Sequence, residues 1–482
     1  MSTSLSQSTV SSKAASPAAP VSPWSFVLFP AVAMMLGWGL RGYIGGGPFA
    51  AMIPGAFVAL SLSLLLGHDR QTAAMAALFG AVAIGYGGEM TYGQTLGLAC
   101  NPETMGWGLL GVTIKGAVWG LLGGAVLGVG LTFRQYKKSA LVVAFVLTIV
   151  LLFVGWKLIN EPRLIYFSDP VNRPREELWA GLLFSALGFL AFIHWKGQGK
   201  QARVPLYFAL WGALSGGIGF GGGTLFLVYG PELPLPQQWF GWWKAMEFFF
   251  GFALGAGIGI AAWRHRDILK APPADATYLP DRRLSAAALV MVVVLFFLLF
   301  PVLEEYLGNV SSGQAGNGAL VAYNVFRPLY TFVFFGAVCI FLGLYSITAA
   351  WHVAITITFF HTAIDLNRNM HDTIGTDLPG WGQVLLVVVL TGGFACAVQH
   401  LQVRQRAIPL LYLLLLWACF VMATLRAFVY KDYFFSAEGA AGIHLPTIPP
   451  STWTVYGTFL VTTLITALCI RRFARRGNDQ GD

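Results

Sequence analysis

The sequence predicts an all-α, polytopic integral membrane protein of about fourteen transmembrane helices, and three observations carry that prediction. Of its 482 residues, 56% are hydrophobic and only 11% charged, too little polar surface to cover a soluble fold of this size. Apolar runs long enough to cross a hydrocarbon core recur along the whole chain. Lysines and arginines sit in short clusters between apolar runs, which is how topology is encoded and not how a nucleic-acid surface is built, despite the net charge of +9.

The runs are 24–40, 48–67, 73–97, 106–132, 139–157, 178–195, 204–228, 239–263, 284–303, 325–345, 349–365, 381–399, 407–427 and 453–470. With the tail 1–23 on one side, the loops after even-numbered runs and the two tails hold 19 Lys and Arg against 6 acids, and the other side holds 11 against 15. That asymmetry predicts both termini in the cytoplasm, in a bacterial inner membrane. The loop at Ser346 carries no cation, so 325–365 is the weakest part of this parse. The organisation follows: a Ser-, Ala- and Pro-rich tail (1–23), a glycine-rich bundle (24–132), a second bundle (133–263), a basic linker (264–283), a C-terminal bundle (284–470) and a basic tail (471–482). Residues 1–23 carry one cation, Lys13, and no small-residue cleavage site follows, so they read as a disordered tail before an uncleaved helix. Five cysteines form no CxxC and no even framework, and four lie in apolar runs, which argues against structural disulfides.

Glycine marks the interior. ALFGAVAIGYGG (77–88), followed by Trp107, Lys115 and Arg134, resembles ALWGALSGGIGFGG (209–222), followed by Trp243, Lys244 and Arg264. Both copies start on an odd-numbered run, so this is either a parallel repeat or the common composition of glycine-rich helices. Gly116, Gly120, Gly124 and Gly128, and again Gly251, Gly255 and Gly259, recur every four residues as small-residue stripes for helix packing.

The densest stretch, GWGLRGYIGGGPFAAMIPG (37–55), sets Arg41 among glycines that let backbones approach closely and leave unwound peptide groups free to face a ligand. Charges within or at the ends of spans are costly and mark sites or interfaces. They are Arg41, Glu89, Lys115, Lys244, Glu247, Glu304, Glu305, Arg327, Asp365 and Arg426, all in the outer part of the predicted topology. Snorkelling to headgroups accounts best for Glu305, Arg327 and Arg426. Lys244 and Glu247 lie one turn apart and are expected to pair with each other. Glu89 and Lys115 have no partner at helical spacing, so a pair across helices is expected. Arg41, Glu89 and Lys115 are therefore the expected solute site, with Arg41 gripping a carboxylate or phosphate through its planar fork.

His361, Asp365, Arg368 and Asp372 follow at i, i+4, i+7 and i+11, one face of a helix. Together with Glu304, Lys244 and Glu247, His361 and Asp365 are the candidates for proton or ion coupling. His361, Asp365 and His371 also make a weak divalent-metal set, outweighed by a self-paired helix end.

No GxxxxGK[ST], HExxH or GxSxG is present, and no cofactor is called for. The expected partners are membrane lipids and a small polar or anionic solute, with oligomerisation left open. Many spans, glycine-broken helices and intramembrane charges predict a secondary transporter. The outer bias of the charges keeps a second class in view: a transferase with an outward-facing site and a lipid-linked donor, with Glu89, Glu304 or Asp365 as general base. A structural or assembly subunit of a membrane complex is the third.

Overall fold

The computed structural model of the chain describes residues 21–170, 175–270, 281–300, 302, 303, 306, 331–365, 380–429 and 448–478. Glu304, Glu305, Arg327, Arg368, His371, Asp372 and most of the tail 1–23 lie outside these residues. Every regular element among the described residues is helical, as a chain without water to satisfy its peptide groups requires. The principal helices are α1 (Pro23–Tyr43), α2 (Gly47–Leu66), α3 (Arg70–Gly87), α4 (Gly93–Ala99), α5 (Met105–Leu131), α6 (Lys138–Gly155), α7 (Trp179–Lys196), α8 (Val204–Tyr229) and α9 (Trp242–Arg264). They continue as α10 (Arg282–Val293), α11 (Phe332–Tyr345), α12 (Ile347–Asp365), α13 (Gly380–Leu401), α14 (Ala407–Val429) and α15 (Pro450–Asn478).

Among the described residues, eleven helices are long and apolar enough to cross a membrane. The described parts of the remaining predicted spans form helices that fall short of that measure: α10 and α11 in length, and α3 in apolarity. The reason for α3 lies in its position. It is buried from Thr72 to Gly87 and is packed by α2, α5, α11 and α12. A helix that meets other helices along its length needs small side chains more than greasy ones, and half of RQTAAMAALFGAVAIGYG is alanine and glycine. Its predicted span, 73–97, ends early: the chain turns after Gly87 and restarts as the short α4.

Glycine sets the closest contacts. A Cβ at Gly116 would stand 2.3 Å from the Gly216 carbonyl oxygen, and one at Gly124 2.1 Å from that of Phe208, so the stripe on α5 is seated on α8. The stripe on α9 is seated on α1, with Gly255 against Pro30 and Gly259 against Phe26.

Side-chain bonds tie the basic loops together at one end of the bundle. Arg134 pairs with Asp69 at 2.9 Å, Gln135 donates to the Gln201 carbonyl, Arg70 donates to the Val403 carbonyl and His68 meets the Leu269 carbonyl. Ser346 joins the same end through its hydroxyl contact with Ser285 at 3.0 Å.

His68, in the loop between α2 and α3, gives that end a pH dependence. Burial pushes its pKa from 6.5 down to about 4. The unfolded chain takes up this proton below 6.5 while the folded chain resists it, so stability falls as pH drops from about 6.5 towards 4. His68→Gln retains a donor for the Leu269 carbonyl without titrating. Thermal unfolding in detergent is expected to lose less stability over that window in His68→Gln than in the wild type, and equal losses would count against the assignment.

Candidate functional site

The sequence places Arg41 in the last turn of α1, where a cation also faces the carbonyl end of the helix. Helix α1 runs unbroken through Gly37, Gly39 and Gly42, so these glycines are packing positions and not the unwound segment expected. Pro54 of α2 lies against Gly37, and the Phe248 and Phe459 rings lie against Gly39. The chain leaves helical geometry at Ile44, and Gly45, Gly46 and Gly47 then take φ of 106°, 69° and 66°, a reversal that other residues adopt only with strain.

Arg41 is 2% exposed. Its Nε donates to the Gly47 carbonyl at 3.3 Å and its Nη1 to the Tyr92 hydroxyl at 2.8 Å. Three rings enclose the guanidinium, Trp38 at 5.2 Å, Tyr92 at 5.7 Å and Trp119 at 5.6 Å. The cage is fixed in turn: Trp119 donates to the Ile84 carbonyl at 2.8 Å, and its ring lies where Gly87 has no side chain. Among the described residues Arg41 forms no ion pair.

Lys115 and Lys244 differ. Lys115, 1% exposed, pairs with Glu177 at 2.7 Å and also donates to the Thr91 carbonyl and the Thr95 hydroxyl. Glu177 is equally buried and accepts from Ser168 and from the Phe167 amide as well. Lys244 pairs with Glu247, as their spacing predicts, and lies 4.6 Å from the centre of the Tyr43 ring. Trp243 donates to Glu247 at 3.1 Å.

The expected pair of Glu89 with Lys115 is therefore replaced. Glu89 accepts from the Phe332 amide at the start of α11, where a helix offers unpaired N–H groups. Arg41 and Lys115 lie on either side of the segment 91–95, the first bonded to Tyr92 and the second to Thr91 and Thr95. What converges on the turn after α1 is a different set. A Cβ at Gly42 would meet the Lys244 ammonium and the Glu247 carboxylate, and one at Gly45 would meet the Asp365 carboxylate at 2.5 Å. His361, one turn before Asp365, stacks on Phe49 with ring centres 5.3 Å apart. Among the described residues no three His, Cys, Asp or Glu side chains cluster as metal ligands.

Glu177, Tyr92, Trp38 and Trp119 are absent from the residues singled out in the sequence. Glu177 stands one residue before a predicted span and so escapes a search confined to spans. The three aromatics are indistinguishable by composition from other membrane aromatics, and only their common focus on Arg41 separates them.

Chemically, the site offers a buried planar cation, exposed backbone at Gly42, Gly45 and Gly47, and titratable groups within the same turn. A scan against family models matches none, and searches of curated proteins and of solved structures return no match.

Proposed function

We propose that the protein is a multi-pass secondary transporter for a small anionic solute, whose carboxylate or phosphate is gripped by Arg41. One observation carries this reading: Arg41 is buried, caged by rings and, among the described residues, bonded only to neutral oxygens, while buried Lys115 and half-buried Lys244 each have a carboxylate. A cation removed from water without an anion is costly, and a ligand that supplies the anion regains that energy on binding. Asp365, His361 and the Lys244–Glu247 pair border the same turn and serve as the proton- or ion-coupling groups, with Glu304 as a further candidate. The fourteen spans, a parallel repeat relating 77–134 to 209–264, and a cytoplasmic basic end in a bacterial inner membrane complete the proposal.

A second reading is favoured by one specific observation. The polar groups gather at the end of the bundle opposite the basic loops, where an outward-facing transferase would meet a lipid-linked donor. Proteoliposomes separate the two. Uptake of small carboxylates or phosphates that responds to an imposed pH gradient is the expected result. Group transfer from a lipid-linked donor without uptake would replace the transporter by the transferase.

A further inference from the structure

The hairpin of α13 and α14 is splayed, and the gap between them opens an apolar groove of about 560 Å³ on the flank of the bundle. Phe359 of α12 and Phe394 of α13 stack at 4.0 Å to form part of its wall. Leu401, Leu410, Trp417 and Val421 line it further. From Leu410 to Val421 the groove follows α14 for about 16 Å at a rise of roughly 1.5 Å per residue. That is about half of a hydrocarbon core of roughly 30 Å, the depth of one leaflet.

The mouth is not neutral. The groove begins at Leu401 and Leu410, which flank the loop 402–406, QVRQR, with two arginines and no acid. Arg404 and Arg406 are exposed there, and Arg70 joins them through its bond to the Val403 carbonyl at 3.1 Å. An apolar channel one leaflet deep under a cluster of cations matches a molecule with an acyl chain below an anionic headgroup. We propose that this groove is a binding site for an anionic glycerophospholipid of the leaflet at the basic end, one acyl chain lying between α13 and α14 and the phosphate and headgroup facing Arg404 and Arg406. The chain replaces side-chain packing that the splayed hairpin lacks. The arginines select the headgroup, since each cation near a membrane surface favours anionic lipid.

Native mass spectrometry of the full chain in detergent tests this with two probes of identical acyl chains, phosphatidylglycerol and phosphatidylcholine. The wild type is expected to retain phosphatidylglycerol roughly tenfold better than phosphatidylcholine. The surface variant Arg404→Gln/Arg406→Gln should lose that preference while still folding, and Ala418→Trp, which fills the groove, should retain neither lipid. Equal retention of both lipids by the wild type overturns the proposal, as does an unchanged preference in the arginine variant. A dimer mass that carries no lipid would assign the groove to a second copy of the chain instead.

Discussion

Gly120→Val is expected to abolish the folded protein. A Cβ at Gly120 would stand 1.9 Å from the Gly212 carbonyl oxygen, and Gly212 in turn would bring its own to 2.1 Å from the Gly120 carbonyl. Both obstacles are backbone, so no rotamer change relieves them, and α5 and α8 would have to separate along their whole contact. Overpacking a core typically costs about 1–3 kcal/mol where side chains can shift, and the cost here should exceed that range. Gly97, in α4, is the control, because a Cβ there meets nothing within 4 Å. Size-exclusion profiles of fluorescently tagged protein should show a monodisperse peak for Gly97→Ala and aggregate for Gly120→Val. A normal profile for Gly120→Val would mean that α5 and α8 do not approach as described.

Removal of the Glu177 carboxylate should be nearly as damaging. Glu177→Ala leaves the Lys115 ammonium buried with only the Thr91 carbonyl and Thr95 hydroxyl, and it strips the Phe167 amide and Ser168 hydroxyl of their acceptor. Breaking a buried pair on one side costs about 3–5 kcal/mol. Glu177→Gln keeps a carbonyl acceptor and should lose less. Lys115→Met with Glu177→Leu removes both charges, and because an apolar replacement of a buried pair is often neutral, this double variant should recover much of the stability. Thermal unfolding in detergent that ranks the double variant below Glu177→Ala would show that Lys115 is not held by Glu177.

The helical membrane architecture was legible because hydrocarbon imposes length and apolarity on each span and because cations mark alternate loops. The stripe from Gly116 to Gly128 announced a close contact but not its partner, since a row of small residues fits any smooth helix; α8 was found only in three dimensions. Arg41 stood out from its cost alone, whereas its cage did not, because Trp38, Tyr92 and Trp119 come from three separated segments. Glu89 misled for a related reason. A carboxylate and an ammonium in neighbouring spans suggest a pair, but the free amide of Phe332 and the carboxylate of Glu177 were nearer solutions to the same desolvation problem.

The central claim is that Arg41 holds an anion, and solute flux in proteoliposomes carrying Arg41→Lys tests it most directly. Lysine keeps the charge but loses the two-donor fork, and hydrogen bonds to charged groups contribute about 1.5–3 kcal/mol. With insertion and expression matched to the wild type, Arg41→Lys is predicted to cut uptake of the anionic solute at least roughly tenfold, close to the loss in Arg41→Ala. Wild-type flux in a normally inserted Arg41→Lys protein would contradict the account and leave Arg41 as a cation held by its rings, the Gly47 carbonyl and the Tyr92 hydroxyl.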